Sequence, residues 1–401
     1  MSADKMAPKL PSHIPNVLEA PLFSNIIKGS FVKRPNRFVV HCATQDGLIE
    51  AYLPNPGRLW ELLLPGRTLY LVKKEQGASS NLRHMVVAVE RDERPVLLHT
   101  HLANAVAARL IEAKKIPGME DATISRAEIT VGRSRFDFLL QKGGKPFFLE
   151  VKSCTLFGRR IAMFPDAITL RGKRHIEELA ALSRQGTPCG IIFLVHWPQA
   201  EYFLPDYHTD LEFALAFKEL KGRMFVKAIS LEWLPDLRLS ENVREMSIPW
   251  EIIAEEARDG GSYLLLLHLA VDLSLKVGSL GTVDFPQGYY LYVGTAKRAL
   301  TKRLARHLRK NKTVNWHMDY LRPYADRCTA IPIRSRKPLE HALAKALLDM
   351  SDWSIPAFGS SDCRCPTHLF GMKKNPLHVQ AFIDLLQYFR IDRLEEDFRL
   401  W

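Results

Sequence analysis

One segment constrains the fold of this chain more than any other, because it joins the apolar pattern of a buried β-hairpin to three charges. Residues 136–153 read FDFLLQKGGKPFFLEVKS. Gly143 and Gly144 predict a tight turn between two strands, over 135–140 and 147–152. A buried hairpin of this kind needs a reason to carry charge.

The three charges converge if the hairpin is symmetric about its turn. Asp137 then faces Glu150, with Cβ atoms about 4.5–5.5 Å apart. Lys152 projects from the same face as Glu150, two residues further along. Opposed carboxylates are destabilising unless a cation neutralises them, and Mg²⁺ favours one or two carboxylates plus water and phosphate oxygens. A lysine beside such a site can position the attacking water or stabilise charge on phosphate. The pattern predicts metal-dependent phosphodiester hydrolysis.

A purely structural role is the alternative, with Asp137 paired to Arg135 or Lys152 on a solvated face. The apolar residues that flank the three charges argue against this role, because a strand exposed along its length would be less apolar. They are Phe136, Phe138, Phe147, Phe148, Leu149 and Val151. The D…ExK spacing alone leaves both readings open.

Charge and apolar content narrow the class of protein. There are 56 Lys+Arg against 44 Asp+Glu, a formal charge of +12 at pH 7, which favours a polyanionic partner, although many soluble proteins are simply basic. No apolar run approaches the roughly 18–20 residues of a membrane span. Residues 1–27 have no signal-peptide core and are expected to form a flexible tail. The six scattered cysteines resemble no disulfide framework, so a reduced, cytoplasmic protein is expected.

The spacing of apolar runs predicts several units. Residues 28–99 alternate short apolar runs with Gly, Pro and Asn, which is typical of a small β-barrel or sandwich. Residues 100–240 alternate helices and strands, and CGIIFLVHW reads as a central strand covered on both faces. Residues 241–261 read as a linker ending in Gly-Gly, and 262–401 as a second α/β unit.

Residues 295–312 form a strongly basic segment with eight Lys or Arg and no acidic residue, and read TAKRALTKRLARHLRKNK. Leucines at 300, 304 and 308 give a helix an apolar stripe, so the remaining surface is cationic. Like charges at this spacing destabilise a helix, and such helices usually face phosphate. The expected nucleic-acid contacts are Lys297, Arg298, Lys302, Arg306, Arg309 and Lys310.

Two smaller basic groups are also candidates. Cations cluster where a helix over 171–185 begins, which suits phosphate binding, or they are a solvated helix start beside Glu177 and Glu178. These cations are Arg171, Lys173 and Arg174, followed by His175. In the PNPGRL loop, Asn55 and Arg58 either touch nucleic acid or set the turn.

The segment SSDCRCPTHLF brings Cys363, Cys365 and His368 together. A zinc site would need a fourth ligand, for which His307, His317 and His341 are candidates. The C-x-C-x2-H spacing lacks the usual C-x2-C knuckle, so a compact loop with buried thiols is the favoured interpretation.

Several segments resemble known families. Asp137 with Glu150-Val151-Lys152 resembles the core of the PD-(D/E)XK nuclease superfamily. HCATQDGLIEAYLPNPGRL, SRFDFLL, FLEVKSCTL and MFPDAITLRGKRHIEEL resemble, in order, the sugar fermentation stimulation protein A (SfsA) family. This resemblance implies an OB-like barrel joined to a restriction-endonuclease-like domain. It also implies DNA binding and nuclease activity, with Asp137 and Glu150 as ligands of Mg²⁺ or Mn²⁺. Glu112, on the preceding helix, is a candidate for an assisting acid.

The C-terminal unit resembles a GIY-YIG domain through the order of Tyr263, Tyr292, Arg303 and Glu340. With NWHMDYL and FGSSDCRCPTHLF, it resembles a GIY-YIG-like family formerly described as a domain of unknown function. The resemblance implies that the tyrosines orient water, the arginine stabilises the leaving phosphate and Glu340 holds Mg²⁺. The signatures read GSY and YVG, and an insertion separates them, so DNA binding is the firmer expectation here.

Together these observations predict a multi-domain α/β protein: an OB-like barrel, a PD-(D/E)XK domain and a GIY-YIG-like α+β domain. The expected function is a magnesium-dependent nuclease that acts on DNA or RNA. The alternative is a non-catalytic DNA-binding or regulatory protein that uses nuclease-like folds. A sugar-metabolising enzyme is disfavoured, because no second pair of acids flanks a sugar-sized cleft.

Overall fold

The structure is a computed structural model that describes residues 18, 20–74, 82–131 and 134–398. Most of the predicted N-terminal tail lies outside the described residues. In the part of the chain that is described, no helix has both the length and the apolar character needed to cross a bilayer.

The first unit is a closed β-barrel. Its strands are β1 (Ile27–Asn36), β2 (Val39–Thr44), β3 (Gly47–Tyr52), β4 (Thr68–Lys73), β5 (His84–Arg91) and β6 (Arg94–Leu97). β1 pairs with β2 and β4, β2 with β3, and β4 with β5, all antiparallel, and the parallel pairing of β3 with β5 closes the barrel. The resulting order 1-2-3-5-4 confirms the predicted OB-like barrel.

The second unit is a mixed sheet between helices. Its elements are α1 (Ala103–Glu112), β7 (Thr123–Val131), β8 (Ser134–Lys142), β9 (Lys145–Cys154), β10 (Leu156–Phe157), β11 (Ile161–Phe164), α2 (Leu170–Arg184), β12 (Cys189–Val195), β13 (Tyr202–Pro205), α3 (Leu211–Lys218), β14 (Phe225–Trp233), β15 (Leu239–Met246) and α4 (Trp250–Glu256). The main sheet has the order β15-β14-β12-β9-β8-β7, and β12 runs parallel to β9 and β14. A smaller sheet joins β10, β11 and β13.

Packing on both faces of β12 fixes the helices that flank the hairpin. All seven residues of β12 are buried, as predicted for a doubly covered strand. Ile191 and Phe193 enter a core cluster with residues of α2, whereas Ile192 and Leu194 enter another with residues of α1. The two helices therefore cover opposite faces of the sheet that carries β8 and β9.

The third unit is an antiparallel sheet with helices. Its elements are β16 (Gly261–Leu269), β17 (Leu273–Lys276), β18 (Thr282–Phe285), β19 (Gly288–Ala296), α5 (Leu300–Leu308), α6 (His317–Leu321), β20 (Arg327–Arg334), α7 (Glu340–Leu348), β21 (Trp353–Ser354), β22 (Leu369–Met372), α8 (Gln380–Arg390) and α9 (Glu395–Phe398). The sheet order is β20-β16-β19-β22-β21, and β17 and β18 form a separate hairpin. Short 3-10 turns lie at Thr100–Leu102, Gly278–Leu280, Arg322–Tyr324, Pro376–His378 and Asp392–Leu394.

Two segments differ from the sequence prediction. Residues 241–261, predicted as a linker, contain most of β15 and all of α4, whose Ile252 and Ile253 are buried in the core. The basic helix is shorter than 295–312, because Ala299 adopts a left-handed backbone with φ of 54° and Arg309 is extended. Lys297 and Arg298 therefore precede the helix.

Buried charges join the three units. Asp206 is fully buried and pairs with Arg390 of α8 at 3.1 Å and with Arg58 of the barrel at 3.6 Å. The Thr209 hydroxyl accepts from both guanidinium groups, at 2.7 Å from Arg58 and 2.8 Å from Arg390. Arg58 also donates to Asp166. Removing one member of such a cluster leaves buried charge that the remaining members neutralise incompletely.

Candidate functional site

The hairpin of β8 and β9 has the predicted register. Gly143 and Gly144 have φ of 54° and 73°, as the tight turn requires. The strands pair from Lys142 opposite Lys145 to Phe138 opposite Leu149. Asp137 and Glu150 are the next residues after this last pair, one on each strand. The structure thus brings the two acids together at the open end of the hairpin.

Both oxygens of Asp137 are held by neighbouring groups. Oδ1 accepts a hydrogen bond from Asn104 Nδ2 at 2.8 Å, and Oδ2 accepts one from the Val151 N–H at 2.8 Å. Burial and the adjacent charge of Glu150 raise the pKa of Asp137 above its ordinary value in spite of these bonds. The carboxylate is therefore fixed in orientation, but its ionised form is destabilised by burial and by the charge of Glu150.

Glu150 is 1% exposed, and its two carboxylate oxygens have different surroundings. Its Oε1 accepts from the Lys152 ammonium and, at 2.5 Å, from His175 Nδ1. Burial acts to raise its pKa, but the hydrogen bond from His175 and the charge of Lys152 outweigh burial, so the pKa is lowered. Oε2 is buried and meets no hydrogen-bond donor among the described residues. An ionised carboxylate thus keeps one oxygen available next to a second acid.

His175 orients Glu150 from α2. Its Nε2 lies 3.3 Å from Arg171 Nε, which is a donor, so Nε2 accepts and the hydrogen sits on Nδ1, facing Glu150. The ring is 2% exposed. Sequence reasoning grouped this histidine with the cations around it. The relevant signal was its place one turn after Arg171, on the inward face of the helix.

The helix α1 supplies a different residue from the one that was expected. Asn104, near its first turn, contacts Asp137, whereas the candidate acid Glu112 is exposed at its last turn. Eight residues separate them, about 12 Å along a helix. Glu112 therefore lies away from the hairpin acids. Nothing in the spacing of the sequence singled out Asn104.

The donor set at the hairpin fits a hard divalent cation. Carboxylate oxygens from two neighbouring residues, one of them unpaired and buried, are the ligands that Mg²⁺, Mn²⁺ and Ca²⁺ prefer. Asp137 and Glu150 would hold such an ion. Without a bound ion, the buried Oε2 of Glu150 lacks a hydrogen-bond partner among the described residues, which costs about 1–3 kcal/mol of stability.

The cations predicted near this site fall into two groups. Arg171 and Arg174 are exposed at the start of α2. Lys173 pairs instead with Glu212 at 2.9 Å and Glu177 at 3.8 Å, so its charge is largely neutralised within the molecule.

The PNPGRL loop is held internally. Asn55 is 3% exposed, its amide nitrogen donates to the Leu98 carbonyl, and its oxygen accepts from the Gly57 N–H. Arg58 belongs to the buried ion cluster and stacks on Trp60 at 4.5 Å. Of the two roles left open for these residues, the turn-setting one accounts for the contacts.

A second cluster of predicted residues meets in the third unit. Tyr263, Tyr292, Arg303 and Glu340 all line one cavity of about 320 Å³. The two tyrosine rings lie 6.4 Å apart. The insertion between the two tyrosines forms the β17–β18 hairpin, which leaves the pairing of β16 with β19 intact. The four residues, which are far apart in sequence, therefore line a single site in the folded protein.

Burial is the main cause of the pKa shifts of the side chains in and beside this cavity. The Tyr263 hydroxyl lies 2.9 Å from His307 Nε2. Burial lowers the pKa of His307 to about 4, so the neutral ring can accept the phenolic hydrogen. Burial also raises the pKa of Tyr263, Tyr292 and Glu340. A protonated tyrosine hydrogen-bonded to a neutral histidine can orient water or a phosphate oxygen.

Five of the six predicted cations around α5 are solvent-exposed. They are Lys297, Arg298, Lys302, Arg309 and Lys310, which we call the basic face. Within the described residues none of the five forms an ion pair. Arg306 differs, because it pairs with buried Asp319 at 2.9 Å and stacks on Trp316 at 4.2 Å. Burial opposes ionisation of Asp319, but hydrogen bonds from Arg306 and others lower its pKa to about 2. Arg306 has a structural partner.

The loop of Cys363, Cys365 and His368 also has a defined place. It precedes β22 and packs beside the start of α7, so His341 is its neighbouring histidine. His307 contacts Tyr263 and His317 lines the cavity instead. The two thiols are half-buried, so the expectation of buried thiols is wrong.

Comparison with known proteins divides the chain in the same way. Residues 32–98 match the SfsA N-terminal OB domain, and 101–236 match the sugar fermentation stimulation protein RE domain. Residues 262–390 match a domain of unknown function, DUF123.

Two similar proteins match about half of this chain, and a solved structure matches slightly more. A sugar fermentation stimulation protein homolog of Methanothermobacter thermautotrophicus is 37% identical over 202 residues, 50% of this chain and 84% of that protein. One from Moorella thermoacetica is 36% identical over 197 residues, 49% of this chain and 85% of that protein. The solved structure of Pyrococcus furiosus SfsA in complex with Ca²⁺ is 30% identical, with a TM-score of 0.52, and the match covers 57% of this chain and 99% of that one.

Proposed function

This chain belongs to the sugar fermentation stimulation protein (SfsA) family, and from that premise we propose that it is a nucleic-acid-binding, metal-dependent phosphodiesterase. The reaction is assigned to the hairpin of Asp137, Glu150 and Lys152. One observation carries the proposal: the unpaired, buried Oε2 of an ionised glutamate lies beside a second carboxylate. A protein that only bound DNA would place cations here, since paired acids repel phosphate.

The topology of the second unit supports the assignment. Along the chain α1 is followed by β7, β8 and β9, then by the short strands β10 and β11, α2 and β12, so the two acids lie on adjacent strands of a sheet covered by α1 and α2. The Pyrococcus furiosus relative is named as a Ca²⁺ complex, which supports a cation site in this family. The OB barrel supports nucleic acid as the partner.

Each side chain of the hairpin site has a separate role. Asp137 and Glu150 would hold Mg²⁺ or Mn²⁺, which when bound would polarise the scissile phosphate and acidify a bound water. Asn104 and the Val151 N–H fix the orientation of Asp137, and His175 fixes that of Glu150. Lys152 places its ammonium group at the site, where it orients water and stabilises the charge that develops on phosphate.

The cations that remain solvent-exposed define the proposed path of the substrate. Arg171 and Arg174 lie at the start of the helix that carries His175, where a backbone phosphate next to the scissile one would pass. The basic face gives the third unit an independent contact with the polyanion.

The third unit is proposed as a GIY-YIG-like domain. Its cavity collects Tyr263, Tyr292, Arg303 and Glu340, and has the groups needed for a second phosphodiester site. Glu340 is its proposed Mg²⁺ ligand, Arg303 would stabilise the leaving phosphate, and the tyrosines would orient water.

Cleavage of labelled nucleic acids tests the proposal. End-labelled single- and double-stranded DNA and RNA are incubated with the protein in Mg²⁺, Mn²⁺ or EDTA, and with the isosteric variant Asp137→Asn. We expect metal-dependent cleavage by the wild type, none in EDTA, and loss of most of it in the variant although the variant still binds substrate; any cleavage that the variant retains is assigned to the cavity of the third unit. Binding of every substrate without any cleavage would contradict the proposal and support the alternative of a non-catalytic regulatory protein.

A further inference from the structure

A second kind of metal site lies outside the cavity of the third unit. The side chains of His341, Cys363, Cys365 and His368 offer four ligand atoms that all lie within 4.8 Å of one another. His341 is the second residue of α7, the cysteines belong to the loop before β22, and His368 directly precedes β22. Residues separated by more than twenty positions therefore converge on one point.

The distances match the edges of a coordination tetrahedron. His341 Nδ1 lies 3.1 Å from Cys365 Sγ, and His368 Nε2 lies 3.4 Å from Cys363 Sγ. Zinc bonds of about 2.3 Å to sulfur and 2.0–2.1 Å to nitrogen, at tetrahedral angles, place such atoms about 3.5 Å apart. Each observed nitrogen–sulfur pair thus spans one edge. A Cys₂His₂ set is also one of the usual donor sets of structural zinc.

We propose that His341, Cys363, Cys365 and His368 bind one structural zinc ion. The two thiols would bind as thiolates, releasing their protons to solvent and neutralising the charge of the ion. All six cysteines, each within the described ranges, are free thiols, so both sulfurs are available. His341 is exposed and the thiols are half-buried, which gives the ion a path of entry.

The remaining nitrogen of His368 links the zinc site to the cavity. His368 is 2% exposed, and its Nδ1 lies 3.5 Å from Glu340 Oε1. Nδ1 has no hydrogen-bond partner among the described residues. Carboxylates commonly accept a hydrogen bond from the second nitrogen of a metal-bound histidine, so Glu340 is placed to take that role when zinc is bound. The loop between Gly359 and His368 also lines the cavity through Ser361 and Asp362. Zinc would therefore anchor one wall of the cavity and position Glu340.

Metal analysis of the full-length protein tests this inference. We expect about one zinc ion per chain in protein purified without chelator, and loss of it in Cys363→Ser, Cys365→Ser and His341→Ala. Cys328→Ser, which removes a half-buried thiol elsewhere, is the matched control and should retain zinc. Asp137→Asn should also retain it, which separates this site from the hairpin acids.

Two measurements on the wild type keep the test independent of variant folding. X-ray absorption at the zinc edge should show two sulfur and two nitrogen ligands. Cobalt added after zinc removal should give the intense absorption of tetrahedral thiolate ligation. A zinc-free protein that takes up no cobalt through sulfur, or that holds a Cys363–Cys365 disulfide as purified, would overturn the inference.

Discussion

Neutralising the two hairpin acids should change the stability of the protein in opposite directions, although both substitutions should abolish catalysis at the hairpin. In Asp137→Asn and Glu150→Gln the side-chain shape is preserved and one negative charge is removed. The pKa of Asp137 is raised, so its ionised form costs stability in the folded state. The pKa of Glu150 is lowered, so its ionised form contributes stability.

The magnitudes follow from the contacts. Two charges about 5 Å apart repel by about 3 kcal/mol at an effective dielectric constant of 20. Asp137→Asn removes that repulsion, keeps one oxygen that accepts from the Val151 N–H, and turns its amide nitrogen toward Asn104, whose own amide flips so that its oxygen accepts. Replacing two charge-assisted hydrogen bonds by neutral ones costs about 1 kcal/mol each, which leaves a net stabilisation of about 1 kcal/mol. Glu150→Gln relieves the same repulsion. It loses about 4 kcal/mol of attraction to Lys152 and about 1 kcal/mol from His175, a net destabilisation of about 2 kcal/mol.

Dependence on pH checks the sign. The cost of ionised Asp137 is absent below its ordinary pKa of 3.8 and complete above its raised folded value, so the advantage of Asp137→Asn should fade as pH falls between the two. The contribution of Glu150 is present above its ordinary pKa of 4.5 and is lost as pH falls through its lowered folded value. Both differences should therefore shrink on acidification.

Urea denaturation in EDTA, followed by tryptophan fluorescence, measures these differences. Added Ca²⁺ should then stabilise the wild type, by about 2.7 kcal/mol at one hundred times its dissociation constant, and neither variant. A destabilised Asp137→Asn, or a Glu150→Gln variant as stable as wild type, would refute this electrostatic account of the site.

Three further outcomes are expected. His175→Ala should weaken Ca²⁺ binding at the hairpin about 10–100-fold in titration calorimetry, because Glu150 loses its orienting partner, and unchanged affinity would argue against that role. Arg390→Ala should destabilise the protein by about 3–5 kcal/mol in urea, since it removes the closer of the two arginines that pair with buried Asp206, and a loss below 1 kcal/mol would contradict the ion cluster. Lys302→Gln should lower the slope of log affinity for DNA against log salt concentration by about 0.9, whereas Arg306→Gln should lower stability and leave the slope nearly unchanged.

The hairpin could be predicted from sequence because its determinants are local. The Gly-Gly turn fixes the register, and the period of two places Lys152 beside Glu150. The partners of the acids are not local. Asn104 lies 33 residues from Asp137, and His175 lies 25 residues from Glu150, each on a helix packed against the sheet. Only the tertiary packing of those helices brings them to the site.

Counting charges along the sequence does not reveal which cations are paired with distant acids. The sequence predicted Arg306 as a phosphate contact and left Arg58 open between a nucleic-acid contact and a role in the turn, whereas in the structure Asp319 pairs with Arg306 and Asp166 with Arg58. These acids lie in segments with no periodic relation to the arginines. The boundaries of the basic helix were missed for a local reason, the left-handed backbone at Ala299, which no strong turn residue announces.

Resemblance to families located the cavity of the third unit better than spacing did. Tyr263 and Tyr292 lie on paired strands, and their long separation in sequence reflects the β17–β18 hairpin inserted between them. Glu340 reaches the same cavity from the first residue of α7. The sequence did not identify the proposed fourth ligand of the cysteine loop, because His307, His317 and His341 were equally good candidates; the structure places His341 there.

Single-turnover cleavage of one labelled substrate by three proteins tests the central claim most directly. Wild type, Asp137→Asn and Glu340→Gln are compared in Mg²⁺ at enzyme concentrations that saturate binding. The account predicts that Asp137→Asn loses cleavage while it still binds, and that Glu340→Gln retains most of the wild-type rate. Full activity in Asp137→Asn, with loss only in Glu340→Gln, would contradict it and move the chemistry to the cavity of the third unit.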